Sequence, residues 1–320
     1  MQGSESTAAN EASKNRPKLS PYLRVMRPKQ WTKNLIAFAP LIFAAKVHVP
    51  TLFQSACLCV VSFCLLSSSI YIINDILDKE ADKLHPTKSK RPIAAGEISV
   101  ASAWLMAIIL APSALLLGFM IRPALILVLF AYLVLTVSYS LVLKHAAILD
   151  VLSIAAGFLL RAVAGAVAVR VPMSGWFLLC TGLGAVYLAL EKRRREISLL
   201  QNSADAHRKA LQGYSIALLD RFESLILPSL LTSYVFYSFL SIHGQWMMLT
   251  VPFVIYGLMR YQQLSSAENS ITGTPEEVLL KDRSIQVAVL LWLITSTSVV
   301  YGQLQAFLYM AVRGLDSLVH

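Results

Sequence analysis

The stretch NDILDKEADKLHPTKSKRP, residues Asn74 to Pro92, follows directly on the apolar run SACLCVVSFCLLSSSIYII, residues Ser55 to Ile73. The run is long enough to carry a helix across a hydrocarbon core of about 30 Å, yet the chain leaves it on three aspartates. If the helix continues past Ile73, Asn74, Asp75, Asp78 and Asp82 fall within an arc of about 100°, while Glu80 falls on the other side. Three carboxylates on one stripe beside a membrane repel one another unless a cation lies between them. Hard oxygen ligands of this kind suit Mg²⁺, which takes one or two carboxylates and completes its shell with water and substrate phosphates. Asn74, Asp75, Asp78 and Asp82 are therefore the candidate Mg²⁺ ligands, with the three aspartates as candidate catalytic residues. A solvated helix end, its acids offset by Lys79, Lys83 and Lys88, is the plainer alternative. It does not explain why Glu80 alone leaves the stripe.

The surrounding composition is that of a membrane protein. The 320 residues are 56% hydrophobic and 14% charged, with a mean hydropathy of +0.62, more apolar than a soluble domain needs. About nine apolar runs suggest crossings: Leu35 to Val47, Phe53 to Ile73, Ala101 to Ile121, Ala124 to Leu143, Ala147 to Val169, Trp176 to Leu190, Leu225 to Leu240, Trp246 to Leu258 and Val287 to Met310. The expected fold is an all-α, polytopic helical bundle. With the N terminus in the cytoplasm, 22 of the 28 Lys and Arg residues fall on the cytoplasmic side, which orients the chain by the positive-inside rule. The net charge of +10 is accounted for by this asymmetry and calls for no nucleic acid. Residues 1–17 are polar and read as a disordered tail, leaving 18–320 as one transmembrane domain. Cys57, Cys59, Cys64 and Cys180 lie in the apolar runs without metal-ligand spacing and read as buried thiols.

The long connections all lie on the cytoplasmic side. In the first of them Lys88, Lys90 and Arg91 follow the acids, and Pro92 should hold Arg91 extended. Cations beside a metal-binding stripe are what a diphosphate requires, although the positive-inside rule would also place bases here. The end of the sixth run reads EKRRREI, Glu191 to Ile197. Helical spacing puts Lys192, Arg193 and Glu196 toward a common site, leaves Arg194 undecided and sends Arg195 toward lipid headgroups. In the fifth run Asp150 and Arg161 share a face about 16 Å apart along the axis. A charge at the depth of Arg161 needs a polar cavity or an acidic partner. The small residues around it, Gly157, Ala162, Ala164, Gly165, Ala166 and Ala168, favour close helix packing. Tyr139 and Lys144 end the fourth run at a level where they can reach phosphate oxygens or serve as interfacial anchors. Asp220 and Glu223, at helical spacing, could form a second carboxylate pair but read more readily as interfacial acids balancing Arg221. GLGAVY, Gly182 to Tyr187, lies inside a span with no preceding strand, so it is no dinucleotide fingerprint.

The pattern Asn74-Asp75-x-x-Asp78-x-x-x-Asp82 with Arg91-Pro92 and Gly96, in a nine-span chain, resembles the UbiA superfamily of intramembrane prenyltransferases. That resemblance implies a helical bundle with a polar site at its cytoplasmic mouth and a lipid-open cavity for a polyprenyl chain. Most members carry a second DxxxD-type motif near the end of the sixth span, where this chain has EKRRREI. This departure looks like the decaprenyl-phosphate phosphoribosyltransferase branch of the superfamily. So do RPKQWTKN (Arg27 to Asn34), the stretch from Tyr139 to Val169, and PEEVLLKDRS (Pro275 to Ser284).

The resemblance implies transfer of 5-phosphoribose from phosphoribosyl pyrophosphate to decaprenyl phosphate, for cell-wall arabinan precursors, with Mg²⁺ as cofactor. It also implies a multi-pass protein of the plasma membrane. Substrate contacts are then expected from Lys90, Arg91, Tyr139, Lys144, Asp150, Arg161, Lys192, Arg193, Arg194 and Glu196. Arg27, Lys29 and Lys33 are expected at the acceptor phosphate. Three anionic groups in one site would explain why cations replace the second acidic motif. Two other readings compete: prenyl transfer from a prenyl diphosphate to an aromatic acceptor, and anion transport. A transporter would spread charge through the bilayer depth, whereas here the charges gather at one side. A homo-oligomer is compatible with the sequence.

Overall fold

A computed structural model describes residues 20–201, 213–241, 245–266 and 281–302. The polar tail, His207, Arg208, Lys209, His243, Pro275 to Leu280, the end of the last apolar run, Arg313 and His320 lie outside these residues. The described residues are helical, with no strand among them. The helices are α1 (Pro21–Val25), α2 (Ala39–Phe43), α3 (Pro50–Leu77), α4 (Lys79–Lys83), α5 (Val100–Ile121) and α6 (Pro123–Leu141). They continue with α7 (Leu149–Val169), α8 (Gly175–Gln201), α9 (Ile216–Phe239), α10 (Val251–Ser266) and α11 (Arg283–Val300). Five of them, α3, α5, α6, α7 and α11, are long and apolar enough to cross a membrane. On α5 and α6 only 17% of the apolar window is buried, leaving Leu105, Ile108, Met120, Leu127 and Phe130 bare. Apolar surface on that scale calls for lipid as its solvent.

The first expected crossing takes a form the apolar pattern did not suggest. Pro28–Phe38 is an 11-residue 3₁₀ helix, followed by the five residues of α2. Runs of 3₁₀ helix beyond three or four residues are uncommon.

The contacts fall into two compact units. Among the described residues, the first comprises 20–32 and 64–114. Its core joins Val25, Ile72, Ile93, Ile98, Ala103 and Ala107. Hydroxyls bind its segments together: Ser68 donates to the Met26 carbonyl, Trp31 Nε1 donates to Ser68, and Ser69 donates to the Ala107 carbonyl. Gly96, at φ +77°, closes the turn after Pro92, a conformation that disfavours a side chain.

Among the described residues, the second unit comprises 33–63, 115–201, 213–241, 245–266 and 281–302. Here the small residues of α7 do what their pattern suggests. A Cβ on Gly165 would lie 2.1 Å from the Ala37 carbonyl oxygen, so only glycine lets the 3₁₀ segment approach so closely. Leu41, Ala56, Ala166 and Val169 form one core cluster of this unit. Val151, Ala189, Leu190, Tyr214 and Leu219 form another.

Candidate active site

In the first unit the α3 helix continues past Ile73 to Leu77, breaks at Asp78 and resumes in α4. Asp78 sits at φ −89°, ψ 5°, in the sparsely populated bridge region. The Asp78 amide still donates to the Asn74 carbonyl and the Asp82 amide to the Asp78 carbonyl, so helical register survives the break and the stripe holds. Asp75 and Asp82 are buried and Asn74 and Asp78 half-buried, while Glu80 stands exposed and paired with Lys83.

Asp75 occupies the last turn of α3, where the helix dipole favours cations over anions. Two arginines answer it. Nη1 of Arg91 donates to Asp75 Oδ1 at 3.1 Å and to Asp82 Oδ2 at 2.5 Å. Arg27 pairs with the same Asp75 oxygen and lies over the Tyr71 ring at 5.0 Å. Pro92 does hold Arg91 extended, at φ −68°, ψ 140°. Arg27 is a non-glycine residue at φ +54°, the kind of strain that concentrates at functional sites. Lys88 reaches Asp82 at 4.0 Å, and Lys29 and Lys90 are exposed.

Among the described residues no three His, Cys, Asp or Glu side chains are gathered as a metal site. The acids are instead gathered on cations, because the oxygens of Asp75 and Asp82 converge on one nitrogen of Arg91. Hard, anionic oxygens already sharing one positive group are a donor set that fits Mg²⁺.

The second unit holds its arginines differently. Asp150, at the start of α7, is fully buried. It accepts from Arg193 Nε at 2.7 Å, from the Tyr214 hydroxyl at 2.7 Å and from the Val151 amide at 2.8 Å. Arg193 also pairs with Glu196, and Tyr139 lies within its electrostatic reach. Arg194 binds Glu223 through Nε and Nη2 at 3.2 and 2.8 Å and pairs with Asp220. Those two acids thus balance Arg194, where the sequence suggested Arg221. Arg195 does not reach outward toward headgroups. It is 9% exposed and donates to the Tyr261 hydroxyl. Lys192 is exposed, and Lys33 and Lys144 are half-buried.

Arg161 is buried in α7, and among the described residues no acid pairs with it. Its donors go to Asn34 Oδ1 at 2.8 Å, the Gly157 carbonyl at 3.0 Å and the Tyr132 hydroxyl at 2.6 Å, all neutral. The Tyr132 ring lies 4.7 Å from its charge, and an aromatic face offsets part of the cost of burial. A cavity of about 300 Å³, its lining almost wholly apolar, opens among α8, α9, α10 and α11, with Tyr187, Leu230, Phe253, Leu258 and Trp292 in its wall.

Residues 34–272 match the model of the UbiA prenyltransferase family. The chain belongs to this family. Among its UbiA relatives is a decaprenyl-phosphate phosphoribosyltransferase of Mycolicibacterium smegmatis, 34% identical over 88% of this chain and 93% of its own length. Proteins of the same description match from Mycobacterium tuberculosis, 32% identical over 88% and 94%, and from Corynebacterium glutamicum, 36% identical over 87% and 86%. The fold is that of a UbiA homolog from Archaeoglobus fulgidus solved with DMAPP and Mg²⁺, with a TM-score of 0.64 and 20% identity, covering 88% of this chain and 99% of the other. A UbiA homolog from Aeropyrum pernix gives 0.64 at 13% identity, covering 83% and 98%.

Against the family motif, Arg27 and Tyr214 are the partners the sequence reading did not assign. Arg27 was marked only for a lipid phosphate, its strained backbone being invisible in sequence. Tyr214 carries no motif and reaches a residue 64 positions away.

Proposed function

We propose that this UbiA-family protein transfers 5-phosphoribose from phosphoribosyl pyrophosphate to decaprenyl phosphate, releasing diphosphate. The observation that carries the reading is similarity at 32–36% identity, over nearly the whole chain, to three proteins that bear that activity in their names. The geometry is consistent with it. In the first unit, buried acids topped by half-exposed guanidiniums suit a diphosphate donor.

In the reaction the bond from the ribose anomeric carbon to the diphosphate oxygen breaks, and its electron pair leaves with the diphosphate. An oxygen of the lipid phosphate forms the new bond from the opposite face, with inversion. A phosphate monoester is already anionic at pH 7, so no strong general base is needed, and rate comes from positioning and from stabilising the leaving charge. Asp75, Asp78 and Asp82, with Asn74, would hold Mg²⁺, which when bound neutralises diphosphate oxygens. Arg91 and Arg27 turn from the carboxylates toward the diphosphate, joined by Lys90. Lys144, Lys192 and Tyr139 take the remaining phosphate oxygens. Asp150, Arg193, Arg194 and Glu196 brace them, and Arg161 ties α7 to Asn34 and Tyr132. Lys29 and Lys33 attract the acceptor phosphate at the membrane surface, and the apolar cavity takes part of its isoprenoid chain. The protein is placed in the plasma membrane, where its product would feed cell-wall arabinan, and the basic bias of the loops supports an N terminus and active site facing the cytoplasm.

The test uses purified protein in detergent with Mg²⁺. One tube holds phosphoribosyl pyrophosphate and decaprenyl phosphate; the other holds a prenyl diphosphate and 4-hydroxybenzoate. Phosphoribosylated lipid in the first tube is the expected result, and product in the second alone would replace this reading with prenyl transfer.

A further inference from the structure

The turn between α6 and α7 is held in a conformation its own sequence disfavours. Ile148, a β-branched residue, sits at φ +70°, ψ −50°, immediately before α7, and makes no side-chain cap. Such a residue at positive φ is a backbone outlier that persists only where its surroundings fix it. Backbone bonds from Leu152 to the Ile148 carbonyl and from Asp150 to the Ala146 carbonyl flank it, and its own amide is held by one side-chain hydroxyl. The Ile148 amide donates to Tyr214 Oη at 2.7 Å, and that hydroxyl donates its own proton to Asp150 Oδ1 at 2.7 Å. Asp150 in turn holds Arg193 through its other oxygen, at 2.7 Å. Tyr214 is itself buried, at 8% exposure. Burial pushes its phenol well above the ordinary range, so it remains a donor at any working pH. The residue before it, Gly213, lies so close to the turn that a Cβ there would fall 2.6 Å from that of Ala147. The clamped turn contains Leu143–His145, and so carries Lys144.

We propose that the Tyr214 hydroxyl is a positioning group for phosphoribosyl transfer: it clamps the strained Ile148 turn onto the Asp150–Arg193 pair and thereby fixes where Lys144 meets substrate phosphate. The proposal rests on the phosphoribosyl-transfer reading for its substrate, but the clamp is a property of the chain alone. A hydroxyl serving only to satisfy Asp150 would make the same bond to the carboxylate, yet it would leave the turn indifferent to what stands at position 148.

The experiment separates these through Tyr214→Phe, Ile148→Gly and the double variant. Glycine adopts positive φ without strain, so the turn no longer needs the clamp. Tyr214→Phe should lower kcat/KM about 10-fold, mostly as a rise in KM for phosphoribosyl pyrophosphate. Adding Ile148→Gly should recover most of that loss. A loss that Ile148→Gly leaves untouched, or no loss in Tyr214→Phe, overturns the positioning role. Hydrogen exchange of residues 143–148 reads the clamp without any substrate. It should quicken in Tyr214→Phe, and unchanged exchange there refutes the clamp even if the protein proves to act on other substrates. Should Tyr214→Phe fail to accumulate, Ile148→Gly alone, read by the same exchange, should protect the turn at least as well as wild type, and faster exchange would count against strain at this position.

Discussion

The Asp75–Asp82 cluster of the first unit and the Asp150–Arg193 pair of the second both join arginine to carboxylate, and they differ in which partner meets solvent. In the first, the Asp75 and Asp82 side chains are 3% exposed while Arg27 and Arg91 stand at 28% and 27%. In the second, Arg193 is 1% exposed and Asp150 is 0%. A half-exposed guanidinium over a buried acid can turn to another anion and leave the acid to a metal. A fully sealed pair cannot, because breaking it strands a charge in low dielectric. On the proposed function, the same chemistry would serve exchange in one place and architecture in the other.

The largest expected effect breaks this contrast on the exchanging side. Asp75→Asn or Asp82→Asn should cut transfer by about 100-fold or more while the melting temperature in detergent holds within a few degrees. Initial rates with labelled donor and a thermal melt measure the two together. On the sealed side the order reverses. Asp150→Ala takes from the buried Arg193 its fully buried partner and leaves it only Glu196, so it should cost about 3 kcal/mol of stability, more than Arg91→Ala costs, as read by the same melt. Equal destabilisation by the two would erase the distinction.

Much of this was legible beforehand, for reasons that particular residues make plain. The aspartate stripe was readable because helical register depends only on spacing, and it survives the break at Asp78 through the amide bonds to Asn74 and from Asp82. The five long spans were readable from apolar run length. The 3₁₀ form of Pro28–Phe38 was not, since a 3₁₀ helix and an α-helix bury the same kinds of residue and differ only in rise. Nor could spacing along α8 reveal that Arg195 turns inward, because its partner Tyr261 comes from α10, 66 positions on. The same limit hid Arg27 on Asp75 and Tyr214 on Asp150. A wheel projection knows one helix at a time.

Two smaller effects sharpen the account of the second unit. Gly165→Ala drives a methyl into the Ala37 carbonyl and should cost about 1–3 kcal/mol by overpacking, again measured by thermal melting. The smallest effect comes from Asp282, which caps α11 and pairs with Arg260 at 2.9 Å. The hydrogen bond from Arg260 holds its carboxyl below the ordinary range. Its contribution is therefore fully present above the unfolded-state value and is lost as pH falls through the lowered folded-state value. Melting curves of wild type and Asp282→Asn should differ slightly at pH 7 and converge as the pH falls below the carboxylate range, and a gap that widens on acidification would reverse the sign.

Calorimetric binding of phosphoribosyl pyrophosphate, with Mg²⁺ titrated from zero, tests most directly whether the first-unit acids trade their arginines for a metal-bound diphosphate. The expected result is binding that tightens with Mg²⁺ in the wild type and loses that dependence in the Asp75→Asn, Asp82→Asn double variant. Binding equally tight with and without Mg²⁺, and equal in both proteins, would contradict it.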